Sequence, residues 1–114
     1  QEWVIKLDKT GGQHNTLEHE IWCYASHHDY SVFFAPVYEM SPSGIFLLMQ
    51  RTTPIEDEKT YKKLPSFVPR LIDDVKLENF GLLGNRVVCH DYAHHLSIDT
   101  ALSQGLKKAE WNII

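Results

Sequence analysis

Short apolar runs separated by turn residues constrain the fold of this chain more than any other feature. Runs of this length bounded by Gly, Pro, Asn and Ser are typical of β-strands. Two pairs of runs lie close enough in sequence to form β-hairpins, with connections that carry the residues a turn needs. The predicted hairpins join residues 33–40 to 45–51 across Ser41–Gly44, and residues 79–83 to 86–89 across Gly84 and Asn85.

The first residues predict a strand followed by a helix. Residues 3–7 alternate apolar and polar side chains and precede Gly11 and Gly12, so we expect a short strand that carries Lys6. From Asn15 onward the apolar spacing is helical, and it predicts a helix of about 12 residues. Asn15 or Thr16 would cap its first turn.

The second half predicts two further helices. Residues 56–63 are polar and favour a short exposed helix, after which Pro65 and Pro69 limit regular structure. Residues 97–111 carry apolar side chains at helical spacing and predict an amphipathic helix. Strands and helices are grouped more than alternated, which favours an α+β fold. At 114 residues and 43% hydrophobic content, we expect one domain over residues 1–114.

Composition excludes several classes of function. Fifteen acidic against eleven basic residues give a net charge of −4 without a basic run, so nucleic acid is not an expected partner. No apolar stretch approaches the roughly 20 residues that span a bilayer, so no membrane association is expected. Cys23 and Cys89 stand alone in sequence, which favours a reduced, cytoplasmic setting.

One stretch carries residues suited to phosphoryl transfer. Asp74, Lys76 and Asn79 follow the spacing Asp-x-Lys-x-x-Asn, and Asp91 comes after the second predicted hairpin. Phosphoryl transfer needs a carboxylate that orients the attacking hydroxyl, and a carboxamide and second carboxylate that hold Mg²⁺. A lysine can offset the developing charge. These residues occur along the chain in an order that is compatible with phosphoryl transfer.

The set resembles the motifs of protein kinases. In that family the base and the metal-binding Asn lie five residues apart, and a hairpin leads to the Asp of Asp-Phe-Gly. Residues 4–6 resemble the Val-Ala-Ile-Lys strand. The resemblance implies an ATP and Mg²⁺ site in a kinase-like N-lobe sheet with a catalytic-loop hairpin. It assigns Asp74 as base, Lys76 as its catalytic companion, Lys6 paired with Glu18 or Glu20, Met49 beside the adenine, and Asn79 and Asp91 as Mg²⁺ ligands.

The chain also departs from the kinase pattern. About five residues precede Lys6, so the glycine-rich loop that covers the phosphates is missing from this sequence. Ile72 and Asp73 replace His-Arg before Asp74, and Tyr92-Ala93 replace Phe-Gly after Asp91. Only 23 residues follow Asp91, so the large helical lobe is reduced to about one helix.

Three functions follow from these observations. The leading one is a minimal, pseudokinase-like domain that binds a nucleotide or a protein partner and has little or no activity. The second is an active small phosphotransferase that uses ATP and Mg²⁺. The third is a non-catalytic interaction or inhibitor module, of a size at home in a compact genome such as a phage's. The oligomeric state is left open.

Simpler interpretations remain beside these. Lys6 can be a solvated strand residue, and Asp74 and Asn79 can be loop residues that cap local backbone groups. Imidazole and carboxylate groups near Asp91 can also ligate a transition metal, although adjacent histidines seldom chelate one ion. The histidines concerned are His90, His94 and His95.

Overall fold

The principal sheet has three antiparallel strands in the order β1-β3-β2. The computed structural model describes residues 2–72, 75–93 and 105–111. The first predicted strand and both predicted hairpins are present, in a small α+β domain with short antiparallel sheets. In chain order the strands are β1 (Trp3–Leu7), β2 (Val37–Met40), β3 (Phe46–Gln50), β4 (Phe67–Pro69), β5 (Phe80–Leu83), β6 (Arg86–Cys89) and β7 (Leu106–Lys108).

The main helix, α1 (Gln13–His27), packs against this sheet. It buries Glu18, Ile21 and Ala25, which recur at helical spacing on one face. The predicted cap is wrong: the N-cap residue is Gly12, with φ 96°, which has no side chain to accept a hydrogen bond. Asn15 is instead buried, and its Nδ2 donates to the backbone oxygens of Lys6 and Ile45 at 3.0 and 3.2 Å. These two hydrogen bonds connect the helix α1 to the sheet.

The short polar helix and the second hairpin occur in the predicted order. The short polar helix is α2 (Glu58–Tyr61), where Asp57 and Thr60 form a capping box. A 3₁₀ turn at Leu77–Asn79 leads into the β5–β6 hairpin. The core lies between α1, the inner face of the principal sheet and this hairpin. Its largest fully buried apolar side chains include Phe34, Leu47, Met49, Ile72, Val88 and Tyr92.

The prediction of a helix over residues 97–111 is wrong at its end. Residues 97–104 lie outside the described part of the chain, but Leu106–Lys108 forms β7 and pairs antiparallel with β4. Gly105 has φ +87° and precedes the strand, a conformation that a continuing helix excludes. The irregular segment expected around Pro69 is likewise a strand. Pro69 is tolerated at its end, where no ladder N–H is required.

Two further observations concern the cysteines and candidate membrane-spanning helices. Cys23 and Cys89 are both free thiols, one exposed and one buried, and burial raises the pKa of the Cys89 thiol. Within residues 2–72, 75–93 and 105–111, no helix is long and apolar enough to cross a membrane.

Candidate functional site

A buried ion pair joins the strand β1 to the helix α1. Lys6 Nζ lies 2.5 Å from Glu18 Oε1. The Glu18 side chain is fully buried, whereas the Lys6 side chain is 25% exposed. A buried carboxylate needs a cation and hydrogen bonds to compensate for lost hydration. Glu20, the alternative partner in the sequence, is exposed on another face of the helix. Glu18 is therefore the partner of Lys6.

The same ion pair holds the backbone on both sides of Asp91. Glu18 Oε2 accepts hydrogen bonds from the N–H groups of Tyr92 and Ala93, at 3.0 and 3.1 Å. Lys6 Nζ donates to the carbonyl oxygen of His90 at 2.6 Å. The residue before Asp91 and the two residues after it are thus bonded to one ion pair. This arrangement fixes the position from which the Asp91 side chain projects.

Asn79 completes the surroundings of Asp91. Its backbone carbonyl oxygen accepts hydrogen bonds from the N–H groups of His90 and Asp91, at 2.8 and 3.3 Å. Asn79 is buried, whereas the Asp91 side chain is 45% exposed. Four residues assigned from the sequence therefore come together, although they belong to a strand, a helix and the two ends of a hairpin: Lys6, Glu18, Asn79 and Asp91.

His90 forms a bridge that the sequence did not predict. Its Nδ1 lies 2.6 Å from the Thr52 hydroxyl, and its Nε2 lies 2.9 Å from the carbonyl oxygen of Glu78. Because a carbonyl oxygen only accepts, Nε2 carries a proton, and in the neutral ring the Thr52 hydroxyl donates to Nδ1. A Cβ at Gly81 would collide with the Thr52 side chain, so glycine is required there. The His90 ring therefore holds the end of β3 against the segment before β5.

A cleft of about 730 Å³ opens beside this cluster. Apolar side chains of the sheet, Val4 and Met49, line one part of it, and Lys6 and Asp91 line another. Met49 lies opposite Val4 in the β1–β3 ladder and is fully buried. The volume is in the range of small-ligand sites, about 300–1,000 Å³, and the mixture of apolar wall and few polar groups is typical of them.

Asp8 places a fixed negative charge on the wall of this cleft. The carboxylate is buried and accepts hydrogen bonds from the N–H groups of Thr10 and Asn15, at 2.7 and 2.8 Å, and from the Thr10 hydroxyl. Burial alone would raise the pKa of Asp8, but these hydrogen bonds outweigh it and lower the pKa to about 2. Asp8 followed by Thr10 is the pattern of a local side-chain turn, which sequence reasoning could have identified.

Of the two residues assigned to catalysis, only Lys76 lies in the described part of the chain, and it does not line this cleft. Lys76 is exposed and lines a neighbouring cleft of about 630 Å³. The two clefts share Thr52 and His90 in their linings. Asp74 lies outside the described residues. The clustered residues are thus those assigned to nucleotide and metal binding, and the predicted base has no described position.

Comparison with known proteins gives no relative. No family model, no curated protein and no solved structure matches the chain. The contacts of its own residues therefore carry the functional interpretation.

Proposed function

We propose that this chain is a minimal kinase-like domain that binds a nucleoside triphosphate with a divalent cation. The observation that carries the proposal is the Lys6–Glu18 ion pair, because it holds the backbone on both sides of Asp91. A side chain for phosphate and a side chain for metal are thereby fixed relative to each other. Such pre-organisation lowers the cost of ordering the site when a ligand binds.

Lys6 is suited to a phosphate oxygen. An ammonium group has three N–H donors, and Glu18 and the His90 carbonyl take two of them. The third can serve a ligand in the cleft, since the Lys6 side chain lines it and is partly exposed. Glu18 also keeps the lysine in place when the cleft is empty. A lysine held in this way binds phosphate as a point charge.

Asp91 is suited to the cation that accompanies the phosphates. Mg²⁺ in nucleotide sites is held by one or two carboxylates together with phosphate oxygens and water. The Asp91 side chain faces the same cleft as Lys6. Asn79, the second ligand implied by the resemblance to kinases, adjoins it, because its backbone carbonyl oxygen accepts hydrogen bonds from the N–H groups of His90 and Asp91. Val4 and Met49 offer apolar surface to the base.

Binding is proposed without a commitment to turnover. Transfer to an acceptor would need Asp74 within hydrogen-bond distance of a substrate hydroxyl. Lys76 lines the neighbouring cleft, where an acceptor group would lie if transfer took place.

The test is thermal unfolding with and without Mg²⁺ and ATP. A ligand that binds only the folded state stabilises it by about 2.7 kcal/mol at 100-fold its Kd. For a domain of this size each kcal/mol raises the midpoint by about 4–8 °C. We expect this rise in the native protein and in Lys59→Met and Glu110→Gln, which change exposed charges outside the cleft. Lys6→Met and Asp91→Asn should lose most of the rise, each measured against its own ligand-free midpoint.

An unchanged midpoint at millimolar ATP and Mg²⁺ would contradict the proposal. An equal rise in Asp91→Asn and in the native protein would place the nucleotide somewhere other than this cleft.

A second candidate function is an interaction module, favoured by the outer face of the principal sheet. Four apolar side chains there are more than half exposed: Ile5, Leu7, Tyr38 and Phe46. Ile5 and Leu7 alternate along β1, Phe46 lies opposite Leu7, and Tyr38 contacts the Trp3 ring, so they share one face. Contiguous apolar surface of this kind marks binding sites for partners. A folded protein that is indifferent to nucleotide would support this function.

A further inference from the structure

We propose that His14 and Asp91 are ligands of a divalent transition-metal ion at the mouth of the cleft, with Glu18 Oε2 as a third, weaker ligand. The proposal rests on the proposed function only in sharing Asp91, since metal binding here needs no nucleotide. His14 lies on the first turn of α1, Asp91 follows β6, and both line the cleft. The fold brings together an imidazole and a carboxylate that are distant in sequence.

The distances between the three candidate ligand atoms are compatible with coordination of one metal ion. His14 Nε2 lies 3.7 Å from Asp91 Oδ1 and 4.0 Å from Glu18 Oε2, and the three ligand atoms all lie within 4.8 Å of one another. With metal–ligand distances near 2.1 Å, two ligands of one ion lie about 3.0 Å apart at right angles and about 4.2 Å apart when opposite. Both distances to His14 fall within that interval.

Glu18 contributes less than the other two residues because its oxygens already have partners. Oε1 is bonded to Lys6, and Oε2 accepts two backbone N–H groups. The side chains of His14 and Asp91 are 40% and 45% exposed, so an ion can reach them from solvent. Water or phosphate oxygens would complete the coordination shell, as expected at an open site.

The ligand set indicates which metal is preferred. Imidazole suits the later transition metals Co²⁺, Ni²⁺ and Zn²⁺ better than Mg²⁺ and Mn²⁺, which prefer oxygen ligands. Lys6 neutralises Glu18, so the group with a neutral His14 retains the negative charge of Asp91, which attracts a cation. The alternative is a simple ion pair, in which a protonated His14 faces Asp91 and no metal binds.

The test is calorimetric titration of the full chain with MnCl₂, CoCl₂ or MgCl₂ alone, in the absence of nucleotide. We expect Co²⁺ to bind at least about tenfold more tightly than Mg²⁺, with the affinity of Mn²⁺ between the two. His14→Gln should abolish this preference. His14→Arg should abolish it too. Because arginine can still form an ion pair with Asp91, this variant distinguishes a metal-ligand role of His14 from an ion-pair role. Mn²⁺ should also broaden the ring-proton signals of His14 in NMR spectra.

Two controls exclude other metal sites. His19 Nε2 lies 4.0 Å from Cys23 Sγ on the exposed side of α1, an arrangement that can capture metals adventitiously. His19→Gln should keep the preference, as should a double variant with glutamine at His94 and His95. Equal affinity for Co²⁺ and Mg²⁺, or a preference for Co²⁺ that survives His14→Gln, would overturn the inference.

The outcomes separate this inference from the proposed function. Midpoints that rise with Mg²⁺ and ATP, without a preference for Co²⁺ over Mg²⁺, would leave nucleotide binding intact and remove the transition-metal site. A preference for Co²⁺ in a protein indifferent to ATP would do the reverse.

Discussion

At the scale of single residues, Glu18 is the side chain that does most to hold the site together. Its two oxygens accept hydrogen bonds from one ammonium and two backbone N–H groups, which belong to Lys6, Tyr92 and Ala93. The side chain is fully buried, so water cannot replace any of these bonds when one partner is removed. Breaking a buried charged pair from one side leaves the other charge without compensation.

We therefore expect Glu18→Gln to lower the free energy of unfolding by about 2–4 kcal/mol. Glu20→Gln is the matched control on the same helix, and it should change that free energy by less than about 0.5 kcal/mol because Glu20 is exposed. Urea denaturation of the two variants checks both values. Similar losses in Glu18→Gln and Glu20→Gln would mean that the ion pair does not form in solution.

Sequence reasoning assigned Lys6, Asn79 and Asp91 from motif order, and offered Glu18 and Glu20 as alternative partners of Lys6. It could not choose between Glu18 and Glu20, since that choice depends on which face of α1 meets the sheet. It missed His14, because nothing in the local sequence links the first turn of α1 to the segment after β6. His90 was considered as a metal ligand, but its ring contacts Thr52 and Glu78.

At the scale of secondary-structure elements, the start of α1 lies against the β2–β3 turn. Gly12 has φ 96°, and a Cβ there would collide with the carbonyl oxygen of Ser43. Gly44, in the turn, has φ +78°, and a Cβ there would collide with the carbonyl oxygen of Gly12. This close contact places the first turn of the helix, and with it His14, beside the cleft.

We expect Gly12→Ala to destabilise the fold more than Gly11→Ala. Both glycines have positive φ, so both alanines pay a similar conformational cost of about 1–2 kcal/mol. Only Gly12 faces backbone at collision distance, whereas a Cβ at Gly11 would meet no atom within 4 Å. The additional loss at Gly12 should be about 1–3 kcal/mol. Thermal unfolding compares the variants, and equal midpoints would refute the close contact.

The success of the sequence-based fold prediction depended on how local each element is. Both hairpins were predicted because their turns carry Gly, Pro, Asn and Ser between adjacent strands. The β4–β7 pair was missed because its strands lie far apart in sequence, and neither has a turn signal that links it to the other. Three-residue strands also show too little alternation to be distinguished from one turn of helix.

At the scale of the whole molecule, three parts of the fold meet at a junction, the segment around Asp91. The strand β1 reaches it through Lys6, and the helix α1 reaches it through Glu18. The β5–β6 hairpin reaches it through Asn79. Isolated bridges, from Phe34 to Cys89 and from Thr53 to Leu82, add links between this hairpin and the segments flanking the principal sheet. A ligand at the junction would therefore contact all three parts of the molecule.

The most direct measurement of the central claim is a ¹H–¹⁵N NMR titration of the full chain with ATP and Mg²⁺. The account predicts saturable shifts of backbone amides that line the cleft, at Lys6, Asp8, Thr52 and Asp91. Amides of the β4–β7 pair should not move, since none of its residues lines this cleft. The absence of shifts at millimolar ATP, or shifts confined to β4 and β7, would contradict the claim that this cleft is a nucleotide site.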